Sequence, residues 1–125
     1  MTLTVQSAID SLSFLNAHLG DKVNIRLAYK MNKLGKLLDN ETQFFRETIQ
    51  KETLECALKD ENGNPVISNG NYRLQPEKIE EYNSKLTEIL TTEITIEDIS
   101  FTLDELAPIE ISMSELNSFE KFIQE

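Results

Sequence analysis

The stretch Val23-Asn24-Ile25-Arg26-Leu27-Ala28-Tyr29-Lys30-Met31-Asn32-Lys33-Leu34-Gly35-Lys36-Leu37-Leu38 decides the reading of this chain. Val23, Leu27, Met31, Leu34 and Leu38 recur every three or four residues, which places them on one face of an α-helix. Phe45 and Ile49 continue the seam, and the pattern runs to about Leu58. At roughly 1.5 Å per residue this predicts a helix on the order of 54 Å long. Gly35 inside it costs about 1 kcal/mol against Ala and points to a close helix contact. Opposite the apolar stripe lie Lys22, Arg26, Lys30, Lys33 and Lys36, with no acid between Lys22 and Leu38. On a helix they share an arc of roughly 120°.

Upstream, Val5, Ala8, Ile9, Leu12, Leu15 and Leu19 form the stripe of a first helix over residues 5–19, with Thr4 as its N-cap and Gly20 as its C′ residue. Asp10 is the only charged side chain in the first twenty residues. A helix so poor in charge is expected to be central in the fold or to meet another chain, and the second option predicts a homo-oligomer through residues 5–19. Phe14 points away from the helix's own stripe. Downstream, Asp60 to Pro65 is turn chemistry, and Asn69-Gly70 is a hairpin signal that makes Val66-Ile67 and Tyr72 to Leu74 short strands. Pro76 opens a third helix with Ile79, Tyr82, Leu86, Ile89 and Leu90 on its stripe.

In the last third the period changes. Ile94 and Ile96 alternate, as do Ile99, Phe101 and Leu103, which predicts strand with a slip of one residue near Glu97-Asp98. Ile109 and Ile111 suggest another short strand. Ser112-Met113-Ser114-Glu115 is a capping box opening a final helix with Leu116, Phe119 and Ile123 inward. The expected fold is α+β and mostly α: a long helical hairpin plus an N-terminal helix, a small antiparallel β element and a short C-terminal helix, in a single domain over residues 1–125.

Composition narrows the function classes. Twelve Lys and Arg against twenty-two Asp and Glu give a net charge of -10, which disfavours nucleic acid and anionic lipid. One His and one Cys leave no Cys/His zinc cluster, so no metal or cofactor is expected. Cys56 alone forms no internal disulfide, no apolar run approaches a membrane span, and the first positive residue is Lys22, which leaves no basic leader. These features predict a protein of the cytoplasm of the cell that makes it.

The individual candidates for chemistry are few. Asp60-x-Asn62-x-Asn64 opens like a calcium loop, but Pro65 stands where Gly is required and Asn71 where a bidentate Glu is required, so a self-bonded turn is expected. His18 falls near the end of the first helix, where the dipole favours its cation. Cys56, with Glu52 and Glu55 near it, is expected to be inert. No nucleophile or base is nominated, and no enzyme is expected.

Charge placement is the uneven feature. Residues 93–125 hold nine acids against Lys121 alone, facing the five cations of residues 22–36. The basic stripe is a solvated face, or pairs internally with the acidic third, or docks a partner, since complementary fields fix register. Ile25 and Tyr29 lie in or beside it one turn apart; they and Phe14 are either interface anchors or contacts with a second side of the core. Lys22, Arg26, Lys30, Lys33, Lys36, Ile25, Tyr29 and Phe14 are thus the candidate partner-binding residues.

Three runs carry a family resemblance: Val23 to Leu34, Lys59 through Leu74, and Glu81-Tyr82-Asn83-Ser84-Lys85-Leu86-Thr87-Glu88-Ile89-Leu90. Together they resemble a family of small uncharacterised proteins encoded by tailed phages and prophages. In that family a basic amphipathic segment leads into a long helix, a glycine-containing turn, a second helix and a short acidic β segment ending in a helix. The likeness covers residues 5–125 as an order of elements. It implies an origin, with no activity or site to carry over. The expected function is therefore a non-enzymatic phage or mobile-element protein that binds another protein, inhibiting a host enzyme or defence complex or serving in virion assembly. The alternatives are an acidic nucleic-acid mimic that blocks a basic channel of a host protein, or weak nucleic-acid binding through Lys22 to Lys36.

Overall fold

The apolar seam that begins at Val23 folds as one unbroken helix, α2 (Ile25–Cys56), in the computed structural model, which describes residues 1–124. Asn24 caps it, its side-chain oxygen accepting the Leu27 amide at 2.9 Å. Leu27, Leu34 and Leu38 are buried, as the stripe requires. The fold is α+β and mostly helical, and the contacts cluster into two compact units, Met1–Thr42 with Glu93–Glu125, and Gln43–Thr92. The single domain expected over 1–125 thus carries two such units, with α2 common to both.

In the first unit, α1 (Val5–Ala17) starts where Thr4 accepts the Ser7 amide at 3.1 Å. It ends earlier than expected. The His18 amide donates to Leu15 and the Leu19 amide to Asn16, closing the last turn tightly, so Gly20 needs no left-handed conformation and does not adopt one. Leu19, read as part of the buried stripe, is exposed as a result. Ahead of α1, β1 (Thr2–Thr4) pairs antiparallel with β4 (Glu93–Thr95), Leu3 opposite Ile94. The Ile96 amide extends the pairing to the Met1 carbonyl at 2.9 Å. Sequence periodicity missed β1 because three residues show no period.

The strand expected over Ile99 to Leu103 is shorter, only β5 (Phe101–Thr102). Thr102 is the N-cap of α4 (Leu103–Leu106): its hydroxyl accepts the Glu105 amide at 3.1 Å and Glu105 accepts the Thr102 amide at 3.0 Å. This capping box turns Leu103 out of the strand and into a helix. The strand expected at Ile109 to Ile111 is likewise absent, because the Ile109 amide closes a turn onto Leu106 at 2.9 Å. The Ser112–Glu115 box does open α5 (Met113–Phe119), as expected. After a short 3-10 turn, β6 (Ile123–Gln124) runs parallel to β5, Phe101 opposite Ile123.

The core of this unit joins the ends of the sequence. Phe119 stacks on Phe14 with ring centres 4.4 Å apart and meets Phe101 and Phe122 at 5.4 and 5.3 Å. All four rings are buried, each contributing roughly 1.5–3 kcal/mol by leaving water. The buried Ser11 hydroxyl donates to the Ser118 carbonyl at 3.1 Å, joining α1 to α5.

In the second unit, Asp60 accepts the Asn62 and Asn64 amides, both at 2.9 Å, the self-bonded turn expected of this stretch. Asn69 and Gly70 take positive φ of 53° and 80°, which suits the two-residue turn between β2 (Ile67–Ser68) and β3 (Asn71–Tyr72). Residues 57–59 add bonds to this hairpin, Leu58 donating to Arg73 at 2.7 Å. A 3-10 turn from Pro76 leads into α3 (Ile79–Leu90), and the Tyr82 hydroxyl lies 3.0 Å from that of Thr53 on α2.

Candidate partner-binding surface

The five cations of residues 22–36 share one side of the sequence pattern, but the structure gives them different work. Lys30 reaches both carboxylate oxygens of Glu105, at 3.1 and 3.2 Å, and its ammonium lies 4.7 Å from the centre of the Phe101 ring. Lys33 pairs with Glu97 at 3.2 Å. Two members of the stripe therefore meet the acidic third internally. Among the described residues, Lys22, Arg26 and Lys36 make no ion pair, and Lys36 faces a cavity beside α1.

Lys22 and Arg26 flank two large apolar side chains. Ile25 is 83% exposed and Tyr29 is 70% exposed, one turn apart on α2. Of the two options open to them, contact with a second side of the core is overturned, since neither is covered. Phe14 goes the other way. It is 3% exposed, packed on Phe119, and so leaves the candidate surface; α5 supplies the apolar partner that α1's own stripe could not reveal. The same packing explains why α1 is poor in charge: Val5, Ala8, Ser11, Leu12, Phe14 and Leu15 are all buried in the chain's own core.

The electrostatics of this end of α2 are unusual. A helix N-terminus carries partial positive charge, and anions there are favoured by about 0.3–1 kcal/mol each. The first turn of α2 contains no acid, and Arg26 sits in it with Lys22 just ahead. Cations are thus held where the helix dipole disfavours them.

Glu105 has two roles, and its pKa lies below the usual carboxylate value, first because it accepts the Thr102 amide and then because of Lys30. Glu115 repeats the arrangement. It accepts the Ser112 amide at 3.1 Å, and its other oxygen meets His18 Nε2 at 2.5 Å, while Asp21 holds Nδ1 at 2.6 Å. The Glu115 pKa is lowered by the Ser112 amide and then by His18. For His18, burial works against the charged ring, yet the two carboxylates overcome it and raise the pKa above 6.5. The sequence placed His18 at a helix end but missed this clasp; its legible trace is the i, i+3 spacing of His18 and Asp21. Cys56 is buried with its thiol pKa pushed up, by burial first and then by Glu52, in keeping with an inert residue.

Among the described residues no group of His, Cys, Asp and Glu could hold a metal ion, and no helix is long and apolar enough to cross a membrane. No protein family, curated protein or solved structure matches this chain.

Proposed function

We propose that this chain is a non-enzymatic protein-binding module, docking through the first turns of α2 onto a protein that offers an apolar recess rimmed by acidic side chains. The observation that carries the reading is the pair Ile25 and Tyr29, both strongly exposed and flanked by Lys22 and Arg26, which make no ion pair among the described residues, in a chain of net charge -10. Aromatic and apolar anchors beside cations are the composition of interface hot spots. Cations at a helix N-terminus cost local stability, which a docking role offsets. The proposal includes the phage or prophage origin that the sequence resemblance implies, in which such a module would block a host enzyme or defence complex or serve in virion assembly.

The nucleic-acid readings draw less support. Lys30 and Lys33 are engaged with Glu105 and Glu97, leaving few phosphate contacts for the stripe. On the acidic side, Glu97, Asp98, Glu105 and Glu115 already neutralise cations of this chain, the N-terminal amine included, which weakens mimicry of a polyanion.

The test is affinity capture from the cell that makes the protein, comparing the native chain with Ile25→Asp/Tyr29→Ala. Truncating two anchors is expected to weaken capture by about 30-fold or more. Capture by the native chain should also fall between about 50 and 300 mM salt. Both side chains are exposed, and an acid in the first turn of α2 suits the helix dipole, so the variant should melt no lower than the native chain and the loss reads docking alone. Undiminished capture by the variant, or no captured protein at all, overturns the reading.

A further inference from the structure

Gly35 stands in the interior of α2, where glycine costs about 1 kcal/mol against alanine. The close helix contact expected of it is not what the structure contains. A Cβ at Gly35 would meet one heavy atom within 4 Å, Leu15 Cδ1 at 3.8 Å, which is ordinary contact. Packing therefore does not require glycine here. Gly35 instead borders a cavity of about 400 Å³ between the C-terminal half of α1, the 18–24 connection and the first turns of α2. That volume lies within the range of roughly 300–1,000 Å³ typical of small-molecule sites.

The cavity's covered lining is apolar apart from His18, and its exposed mouth is mixed, with Leu19 and Ala28 beside polar side chains. Leu12, Leu15, Val23 and Met31 make the floor, with Gly35 leaving space between them. At the mouth stand Asn16, Asn32 and Lys36, whose side chains make no hydrogen bond or ion pair among the described residues. Two carboxylates also line it, and both are committed: Asp21 to His18 at 2.6 Å, while Asp39 is engaged too. The uncommitted charge at this mouth is the Lys36 ammonium.

We propose that this cavity binds a small amphiphilic anion, an apolar chain ending in a carboxylate. The chain lies on the leucines and Met31, across the space that Gly35 leaves. The carboxylate meets Lys36 in a charge-assisted hydrogen bond, with the Asn16 and Asn32 amides as further donors. A side chain at position 35 would enter the volume the apolar chain occupies, which gives glycine a reason that packing does not. This site is separate from Ile25 and Tyr29 and stands independently of the docking surface.

Sodium decanoate, below its micelle concentration, is the probe, with decanol and decyltrimethylammonium as comparators. Isothermal titration and melting curves are recorded on the native chain, Gly35→Ala, Gly35→Leu and Lys36→Gln. Decanoate is expected to bind saturably at one site and to raise the melting temperature by mass action, with decyltrimethylammonium at least tenfold weaker. Lys36→Gln should lower decanoate affinity by about tenfold or more, toward that of decanol, the loss of one hydrogen bond to a charged group. Gly35→Ala should melt higher than the native chain but bind decanoate more weakly, while Gly35→Leu should abolish binding. If Gly35→Leu fails to fold, Met31→Trp, which fills the cavity from another wall, must abolish binding. The proposal is overturned by the absence of saturable decanoate binding, by equal binding of all three amphiphiles, or by undiminished binding to the filled variant.

Discussion

Residues Met1–Thr42 with Glu93–Glu125 bury four phenylalanines and a layer of Leu and Ile side chains, whereas in Gln43–Thr92 the buried side chains are Cys56 and Ala57. The first unit draws its core from residues more than a hundred positions apart, Ser11 on Ser118 among them. The second is built from two local devices, the Asp60 turn and the Asn69-Gly70 hairpin, and from the hydroxyl pair of Thr53 and Tyr82, 29 residues apart. No residue of α3 is buried, and Tyr82, Leu86 and Ile89 are half covered. Hydrogen bonds and turn chemistry specify a shape there, while burial supplies stability in the first unit. The second unit is accordingly the one expected to open at lower free energy.

The contrast is broken or sharpened most strongly at Phe119. Phe119→Ala removes the ring that touches Phe14, Phe101 and Phe122, and should cost roughly 3–5 kcal/mol by denaturant unfolding. Leu86→Ala, on the half-covered face of α3, should cost about 1 kcal/mol. Equal losses would mean that the second unit owes as much to burial as the first.

The two capping boxes come next. Ser112→Ala and Thr102→Ala should each cost about 1 kcal/mol for the lost cap, measured by thermal melting. Each loss should also weaken the ion pair that its glutamate makes with another element. A double-mutant cycle of Ser112→Ala with His18→Gln should therefore be non-additive, and so should Thr102→Ala with Lys30→Met. Additivity in both would make the boxes purely local, like the turns of the second unit.

These boxes also mark how far the sequence could be read. Ser112-x-x-Glu115 was recognised and Thr102-x-x-Glu105 was not, although the pattern is the same. The difference lies in the neighbours: Ile99, Phe101 and Leu103 alternate, and a period of two over five residues outweighed a cap. The long helix and the Asn-Gly hairpin were legible because period and turn chemistry are local signals. For Phe14 the two alternatives, interface anchor or contact with a second side of the core, stay open in the sequence because its covering ring, Phe119, is supplied by the opposite end of the chain, and one helix's periodicity carries no record of a second helix packed on its other side. Of the candidate surface, Lys22, Arg26, Ile25 and Tyr29 were legible as a basic turn with two apolar side chains off the core stripe, but whether anything covers those two was not; the diversion of Lys30 and Lys33 into internal pairs depended on where Glu97 and Glu105 come to lie.

The smallest effect expected is pH dependence, and it separates the units because the single histidine belongs to the first. His18 has a folded pKa above 6.5, so the clasp with Asp21 and Glu115 contributes fully below about pH 6.5 and is lost as pH rises through the folded value. The neutral ring carries one N–H and can donate to only one of its two carboxylates, leaving the other facing a lone pair. Glu115 has a folded pKa below 4.5, so its share is present above that pH and is lost as pH falls through the lowered value. Glu105 and Asp98, also lowered, add to the acid limb, which therefore is not specific to the clasp. Stability from the clasp should be greatest between about pH 4.5 and 6.5. Above that window, unfolding of the native chain should become easier, read by the melting of the near-ultraviolet signal, while His18→Gln should remove this alkaline slope and keep the acid one. Hydrogen exchange gives the sharper form of the test: amides of α5 should lose protection above about pH 6.5 after correction for intrinsic rate, and those of α3 should not. Loss of protection in α3 at the same pH would tie the second unit's stability to a clasp it does not contain, and the contrast between the two units would fail.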